Sequence, residues 1–317
     1  MLFYLTRETE EKQDSGAKNT ARRRKFPQGA RSAKKRGFLL KNRDISVIMG
    51  KIKMDQVIAM EKQFLLSQWN LRIPCTLTEP EDGDIRRVVL GVHGLGGSSA
   101  DEIQSSLAEE MELFYSATLR FDFPCHGKNP MDDSAFTLHN CVDSLLAVAK
   151  WGKEHYPQVE DLCIFATGFG AYVTLIALPE LLELPGRVKL VVQTPSLRMH
   201  ETLLAMKNIT RENFMALGAI TIRGQRPFEI PFSFYQELQN NVALTTYPIP
   251  ILILQGEDDA YIRMSDIHRF RRINEQSKLV IIPGVTHRFL EPGAWDMVLD
   301  LTRDWFEFEQ VLCCDWE

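Results

Sequence analysis

The sequence of 317 residues lacks the features that mark several large classes of protein. It has no apolar run of the ~18 residues that a membrane-spanning helix needs. It has no Cys-x-x-Cys pair, no cluster of metal ligands and no phosphate-binding loop. Gly94-x-Gly96-Gly97 matches a dinucleotide-binding motif only in part, because the glycine spacing differs. We therefore expect no cofactor, no metal and no transmembrane segment.

Cysteine is scarce and is not arranged as a disulfide framework. Cys141 and Cys163 lie in apolar patterns, which favours free structural thiols in a reducing cytoplasm over disulfides or metal sites. The apolar run at residues 1–5 is too short for a secretory signal, and its charges follow it. We expect a cytoplasmic protein. The cysteines are Cys75, Cys125, Cys141, Cys163, Cys313 and Cys314.

Charge is divided unevenly along the chain. Residues 1–53 hold 15 Lys and Arg against 5 Asp and Glu, whereas residues 54–317 hold 22 against 37. The basic segment has three open interpretations: a disordered solvated arm, an arm for nucleic acid or a membrane surface, or a stretch before a true start at Met54. The acidic remainder argues against nucleic-acid binding by the main domain, which we place at 54–317.

Apolar strand patterns alternate with helical spacing from residue 64 onward. This alternation predicts right-handed βαβ units and an α/β fold with a mostly parallel, doubly wound sheet. One segment, 197–243, interrupts the alternation with methionines and aromatic residues. We interpret it as an insertion that forms a lid over the ligand-binding ends of the strands, with extra helices that extend the core as the alternative. The predicted strands are 64–69, 71–77, 87–93, 116–123, 162–166, 188–193, 248–255 and 278–282, and the predicted helices are 100–112, 136–155, 169–182, 264–273 and 292–308.

A glycine stands where the local pattern favours a serine. Residues 162–165 form an apolar strand pattern, and Ala166-Thr167-Gly168-Phe169-Gly170 leads from it into a helix. A sharp strand-to-helix turn of this kind presents a nucleophile in the pattern small-x-Ser-x-Gly. Gly168 occupies the serine position and carries no side chain. The turn is therefore predicted without its nucleophile.

Three other chemical motifs follow predicted strands. His93-Gly94 opens a glycine-rich loop whose backbone N–H groups are free to face an anion, together with the N–H of Phe169. Asp259 follows one buried strand and His287 follows the next, so the carboxylate is expected to orient the imidazole. Taken singly, the first motif also fits a plain turn and His287 a surface residue. The order of turn, Asp and His is that of a hydrolase triad.

Residues 55–308 resemble the α/β-hydrolase superfamily, most closely the esterase and serine-aminopeptidase-like branch that includes feruloyl and cinnamoyl esterases. Residues 119–128, Leu-Arg-Phe-Asp-Phe-Pro-Cys-His-Gly-Lys, are similar to the branch motif R-F-D-F-x-G-H-G-x-S. Residues 224–230, followed by Phe234 and Tyr235, are similar to its lid. The basic segment 1–53 lies outside the resemblance.

The resemblance implies a role for each matching residue. Asp259 would be the triad acid, His287 the general base, and the amides of Leu95 and Phe169 the oxyanion hole. It implies a small carboxylic ester or amide as substrate. Three residues would support the motifs: His93, Gly94 and Gly170.

The missing hydroxyl at Gly168 leaves few substitutes. Thr167 is adjacent but is expected to point away from the site, because the turn presents one side chain. Cys125, Ser98 and Ser99 lie close enough in the motifs to be considered. A water activated by the Asp–His pair would be slow. Glycine also enters a strained turn conformation at little steric cost, so the change exchanges activity for stability.

Three functional hypotheses follow. The first is a carboxylic-ester hydrolase scaffold that is inactive or weakly active as written. The second is a pseudoenzyme that binds a small acyl or aromatic ligand, or a protein partner, in the same pocket. The third makes the basic segment the functional part, tethering an inert domain to an anionic surface. The sequence assigns no oligomeric state.

Overall fold

The computed structural model describes residues 60–81 and 83–309. The predictions on the basic segment 1–53, on a start at Met54, and on Cys313 and Cys314 concern residues outside this part. The four cysteines within it are buried and unpaired, at Cys75, Cys125, Cys141 and Cys163.

The secondary structure of the described part alternates as the sequence predicts. None of its helices combines the length and the apolar composition that crossing a bilayer requires. The strands are β1 Met60–Gln68, β2 Leu71–Glu79, β3 Arg87–Val92, β4 Ser116–Phe121, β5 Asp161–Thr167, β6 Arg187–Gln193, β7 Ala219–Ile222, β8 Phe228–Pro231, β9 Ile251–Gly256 and β10 Lys278–Ile282. The helices are α1 Glu102–Leu113, α2 Leu138–His155, α3 Gly168–Leu181, α4 Met199–Lys207, α5 Arg211–Leu217, α6 Phe232–Asn240, α7 Met264–Ile273 and α8 Ala294–Phe308.

Eight of these strands form one sheet in the order β1-β2-β4-β3-β5-β6-β9-β10. Strand β2 pairs antiparallel with β1 and with β4. Every other neighbouring pair is parallel. Parallel strands end at a common edge, so the loops after β3, β5, β9 and β10 lie along one side of the sheet. The mostly parallel sheet predicted from the sequence is confirmed.

The central strands are buried on both faces. In β5, Ile164 belongs to the hydrophobic cluster that contains α2 and α3, whereas its neighbour Phe165 belongs to the cluster that contains α1 and α8. Successive side chains of a strand point to opposite faces, so a strand covered on both sides reads as a continuous apolar run. This explains why apolar runs, rather than alternating patterns, identified these strands, and it shows the doubly wound arrangement.

The segment between β6 and β9 is an insertion built from α4, α5, the β7–β8 hairpin and α6. Its base is closed by a hydrogen bond from the Ala243 N–H to the Leu197 carbonyl at 3.0 Å. Near its end, the Tyr172 hydroxyl of α3 donates to the Asn241 carbonyl at 2.6 Å. The segment between β6 and β9 is therefore packed on the main body.

Two strands are shorter than their apolar patterns. Strand β4 ends at Phe121 rather than at Phe123, since the Phe123 N–H bonds to the His93 ring in the β3 loop instead of to a neighbouring strand. Strand β9 begins at Ile251 rather than at Pro248, because a proline at 248 and another at 250 have no N–H for the ladder. Proline and the first loop contact, rather than hydrophobicity, set these boundaries.

Candidate active site

The turn at the end of β5 carries Gly168 as the first residue of α3. Its φ of 50° lies in the left-handed region, which costs a residue with a Cβ about 1–2 kcal/mol. An ideal Cβ built on Gly168 would meet, beyond its chain neighbours, only the Gly94 Cα at 4.0 Å. A side chain at this position would thus stand in open space beside the loop that follows β3.

Gly170 has the opposite environment. A Cβ on Gly170 would lie 2.4 Å from the His93 carbonyl oxygen and 2.7 Å from that of Val92. Glycine is required there because the first turn of α3 packs directly against the end of β3. This close approach explains the second glycine of the turn and brings the β3 loop next to Gly168.

Two backbone N–H groups beside these glycines are available to a ligand. The Leu95 N–H, next to Gly94, makes no hydrogen bond within the described residues. The Phe169 N–H, next to Gly168, belongs to the first turn of a helix, whose N–H groups have no intrahelical acceptor. Free N–H groups at a helix N-terminus and an adjacent loop suit a negatively charged oxygen.

His93 fixes the loop that carries Leu95. It is buried; its Nδ1–H donates to the Gly94 carbonyl at 2.8 Å, and its Nε2 accepts the Phe123 N–H at 3.2 Å. Burial lowers the His93 pKa, against the opposing charge of Asp122. The ring is therefore a neutral structural element with both nitrogens occupied.

Asp259 and His287 meet at the ends of β9 and β10. The His287 Nδ1–H donates to Asp259 Oδ2 at 2.8 Å, and the exposed fractions of the two side chains are 18% and 1%. Because Nδ1 carries the hydrogen, Nε2 of the neutral ring holds the lone pair that accepts a proton. Nε2 makes no hydrogen bond to any described residue. The pair has the geometry of an oriented general base.

The Asp259 carboxylate is held by three further donors. Its Oδ1 accepts the N–H groups of Tyr261 at 2.8 Å and Ile262 at 3.1 Å, and its Oδ2 accepts Gln255 Nε2 at 3.1 Å. Burial raises the pKa of Asp259, but the hydrogen bond and charge of His287, with the two N–H groups, outweigh it and lower the pKa overall. Asp259 is thus ionised and rigid. Gln255 had no predicted role, and its signal in the sequence was its place directly before the Gly-x-x-Asp motif at 256–259.

The substitute nucleophiles differ in their surroundings. Burial, with a smaller effect of Asp133, raises the pKa of Cys125 to about 12, so its thiol stays protonated at neutral pH. Ser98 Oγ donates to Asp101 and accepts from Ala100 and Gln225. These two side chains are already committed to structural contacts.

Thr167 does not turn away from the β3 loop. A Cβ built on Gly94 would lie 3.5 Å from Thr167 Oγ1. The Thr167 hydroxyl is therefore close to Gly94, the same residue that a Cβ on Gly168 would face. Ser99 is buried, and its N–H donates to Asp122 Oδ1 at 2.7 Å. Thr167 therefore lies against Gly94.

The insertion lies next to two loops at this edge of the sheet. Its hairpin loop touches the β3 loop, where a Cβ on Gly96 would lie 2.7 Å from the Arg223 carbonyl oxygen. At its other side, a small cavity of about 50 Å³ lies between the start of α4 and the loop after Asp259. Arg198 and Tyr261 are among the residues that line the cavity. The insertion therefore flanks both the free N–H groups and the Asp259 loop.

Several solved structures are similar to this chain in fold. A putative hydrolase from Agrobacterium vitis S4 is 15% identical, with 78% of this chain and 99% of that chain covered at a TM-score of 0.65. Est1E from Butyrivibrio proteoclasticus, with ferulic acid bound, is 19% identical, with 79% and 100% covered and a TM-score of 0.65. Mouse alpha/beta hydrolase domain-containing protein 10 is 16% identical, with 78% and 100% covered and a TM-score of 0.61.

The chain therefore has the α/β-hydrolase fold, as the resemblance in its motifs predicted. No protein-family model matches the sequence, and no curated protein matches it significantly. The likeness to the solved structures lies in the course of the backbone, so the chemistry must be argued from the residues themselves.

Proposed function

We propose that the chain is a carboxylic-ester hydrolase scaffold that lacks its nucleophile. Asp259 and His287 form the acid–base pair, the amides of Leu95 and Phe169 form the oxyanion hole, and Gly168 occupies the nucleophile position. The observation that carries the proposal is the hydrogen bond between buried Asp259 and His287, at the sheet edge where β5 turns into α3. The protein is inactive or weakly active toward esters because no hydroxyl attacks from position 168.

The remaining groups support a slow direct hydrolysis. His287 Nε2 takes a proton from water, and the resulting hydroxide adds to the ester carbonyl carbon. The carbonyl oxygen, now negative, is stabilised by the two amides, and Asp259 stabilises the imidazolium. When the intermediate collapses, the bond to the alcohol oxygen breaks and the imidazolium returns the proton to it. A triad without its nucleophile retains about a 10³–10⁴-fold acceleration over water.

A second candidate function is binding without turnover. Buried aromatic rings of the insertion and the main body, including Phe136 and Phe234 at 4.7 Å between centroids, pack around Phe169. Such surroundings suit an aromatic acyl group, and Est1E was solved with ferulic acid. Cinnamate-like esters should then raise the melting temperature of the native chain without being hydrolysed. We propose a cytoplasmic location for either function.

Restoring the hydroxyl tests the first function. Gly168→Ser should create activity toward short aryl esters and a covalent fluorophosphonate adduct visible by intact mass, whereas Gly168→Ala should do neither. Both variants should lose about 1–2 kcal/mol of unfolding free energy, because both place a Cβ at positive φ. If the two variants lose the same unfolding free energy, any difference in their activity comes from the hydroxyl and not from backbone strain.

Two outcomes would overturn the proposal. A folded Gly168→Ser variant with neither activity nor adduct would mean that the pair and the amides do not act together. An adduct on the native chain would identify another nucleophile, and peptide mapping together with Thr167→Val would show whether it is Thr167.

A further inference from the structure

A second histidine, His126, is joined to the loop of the proposed oxyanion hole. Its Nε2 accepts the Gly96 N–H at 3.0 Å, and its Nδ1–H donates to the Pro124 carbonyl at 2.8 Å. It is 2% exposed. Gly96 follows Leu95 directly, so this bond fixes the peptide next to the proposed anion donor.

His126 is suited to holding the loop rather than to moving protons. Both ring nitrogens are committed to backbone groups, and one ring tautomer satisfies both bonds. Burial lowers the His126 pKa to about 3. The ring thus stays neutral at working pH, and Nε2 keeps the lone pair that accepts the Gly96 N–H.

The insertion packs against both His126 and Gly96. The Phe228 ring lies 4.7 Å from the His126 ring between centroids. A Cβ on Gly224 would lie 2.5 Å from the Gly96 carbonyl oxygen, so the two loops touch backbone to backbone. Gln225 Nε2 donates to Ser98 Oγ at 3.2 Å, farther along the same loop. The insertion therefore meets the β3 loop through both the ring and the backbone.

A second connection reaches the other half of the hole. Phe136 lies 5.3 Å from His126 and 5.6 Å from Phe169, between ring centroids. It also lies 4.9 Å from Phe228. One continuous group of rings therefore touches the insertion, the acceptor of the Gly96 N–H, and the residue after Gly168.

We infer that His126 is a positioning residue for the oxyanion hole, and that the insertion, through Phe228 and residues 223–225, holds it and the Gly96 loop in place. The insertion is in this sense a wall of the site and not only a cover. This inference rests on the proposed function, since it assigns a purpose to the orientation of the Leu95 amide.

Two variants in the Gly168→Ser background separate the hydrogen bond from the ring packing. His126→Phe keeps an aromatic ring but removes the acceptor, and should lower kcat for an aryl ester by about 10- to 100-fold with KM changed less than about twofold; loss of a whole oxyanion donor costs about 10²–10³-fold. His126→Gln keeps an acceptor and should retain kcat within about threefold. If His126 only fills space, the order reverses, and that result would overturn the inference.

The insertion side has its own matched pair. Phe228 and Phe214 are both buried phenylalanines of the insertion. Phe228 packs against His126, whereas Phe214 packs against Phe232. Phe228→Leu should lower kcat in the Gly168→Ser background, whereas Phe214→Leu should lower the melting temperature alone. Equal kcat values in the two variants would show that the insertion does not position His126 through Phe228.

Hydrogen exchange keeps this test independent of activity. Both His126 variants are also made with Gly168 kept as it is. The Gly96 amide should exchange at least about tenfold faster in His126→Phe than in His126→Gln. If Gly168→Ser proves inactive, the proposed function fails, but this comparison still tests whether the His126 hydrogen bond holds the Gly96 amide. Equal exchange rates in a folded pair would show that His126 does not hold the loop.

Discussion

The two halves of the candidate site are built in different ways. The half that contains Asp259 is held by side-chain hydrogen bonds, four of which end on one carboxylate. The half that contains Gly168 has no such set of contacts at position 168, where an ideal Cβ would meet, beyond its chain neighbours, nothing nearer than the Gly94 Cα at 4.0 Å. A side chain at position 168 can therefore be lost without leaving a gap among packed atoms, whereas loss of the acid leaves its donors without an acceptor.

This difference changes how the surviving pair is understood. Removing the Asp259 carboxylate would leave the N–H groups of Tyr261 and Ile262 without their acceptor. Such a loss costs about 1–3 kcal/mol for a donor that stays buried. Asp259 is thus stabilising even in an inactive protein. Its presence alone is weaker support for catalysis than the hydrogen-bonded His287 beside it.

The largest effect is expected when the acid is removed after the nucleophile has been restored, because this tests whether the two halves act together. In the Gly168→Ser background, Asp259→Asn should lower kcat for an aryl ester by roughly 10⁴-fold, because the carboxylate no longer orients and stabilises the imidazole. The neighbouring, exposed Asp258→Asn is the control and should have little effect. Full activity in Asp259→Asn would show that the two halves do not work together.

The next test compares two glycines with the same backbone conformation. Gly168 and Gly127 have φ values of 50° and 48°. A Cβ on Gly127 would lie 2.4 Å from Asp122 Oδ2, and that carboxylate is fixed by the N–H groups of Ser99 and Lys128. Gly168→Ala should therefore cost about 1–2 kcal/mol, from φ alone.

Gly127→Ala should cost about 1–3 kcal/mol more than Gly168→Ala, because overpacking adds to the strain. Urea unfolding of both variants at one temperature measures the difference. Similar losses would contradict the view that position 168 is sterically open.

The smallest expected effect is a dependence on pH. The folded-state pKa of Asp259 is lowered, so its contribution to stability is present above the unfolded value near 3.9 and is lost as the pH falls through the folded value. The native chain should lose more stability than Asp259→Asn on acidification from pH 6, by about 1.4 kcal/mol for each unit of lowering. Urea midpoints of the two proteins measured between pH 6 and pH 3 test this. Parallel curves would mean that the carboxylate is not stabilised by its donors.

The fold was largely predictable from the sequence because its strands are buried on both faces. The continuous apolar run at residues 162–166 located β5 within one residue of each end. The short hairpin strands Ala219–Ile222 and Phe228–Pro231 were not predicted, because four residues give too little periodicity. Local pattern therefore found the core elements and missed those that depend on packing.

The site was predictable only where its chemistry follows strand ends. Asp259 and His287 were expected to meet, and their hydrogen bond was found. The bond between His126 and Gly96 joins residues 30 positions apart. It depends on how two loops pack, so no spacing in the sequence could have signalled it. The same holds for Phe228, whose partner is set by the docking of the insertion.

The closed base of the insertion makes the segment exchangeable. Residues 197 and 243 are joined by one backbone hydrogen bond, so the chain leaves and re-enters the sheet at almost the same point. A cassette of different length or shape could be spliced between β6 and β9 without moving either strand. Any replacement would also have to supply a ring against His126 and a glycine against Gly96. These two contacts limit which replacement segments could give the scaffold new ligands.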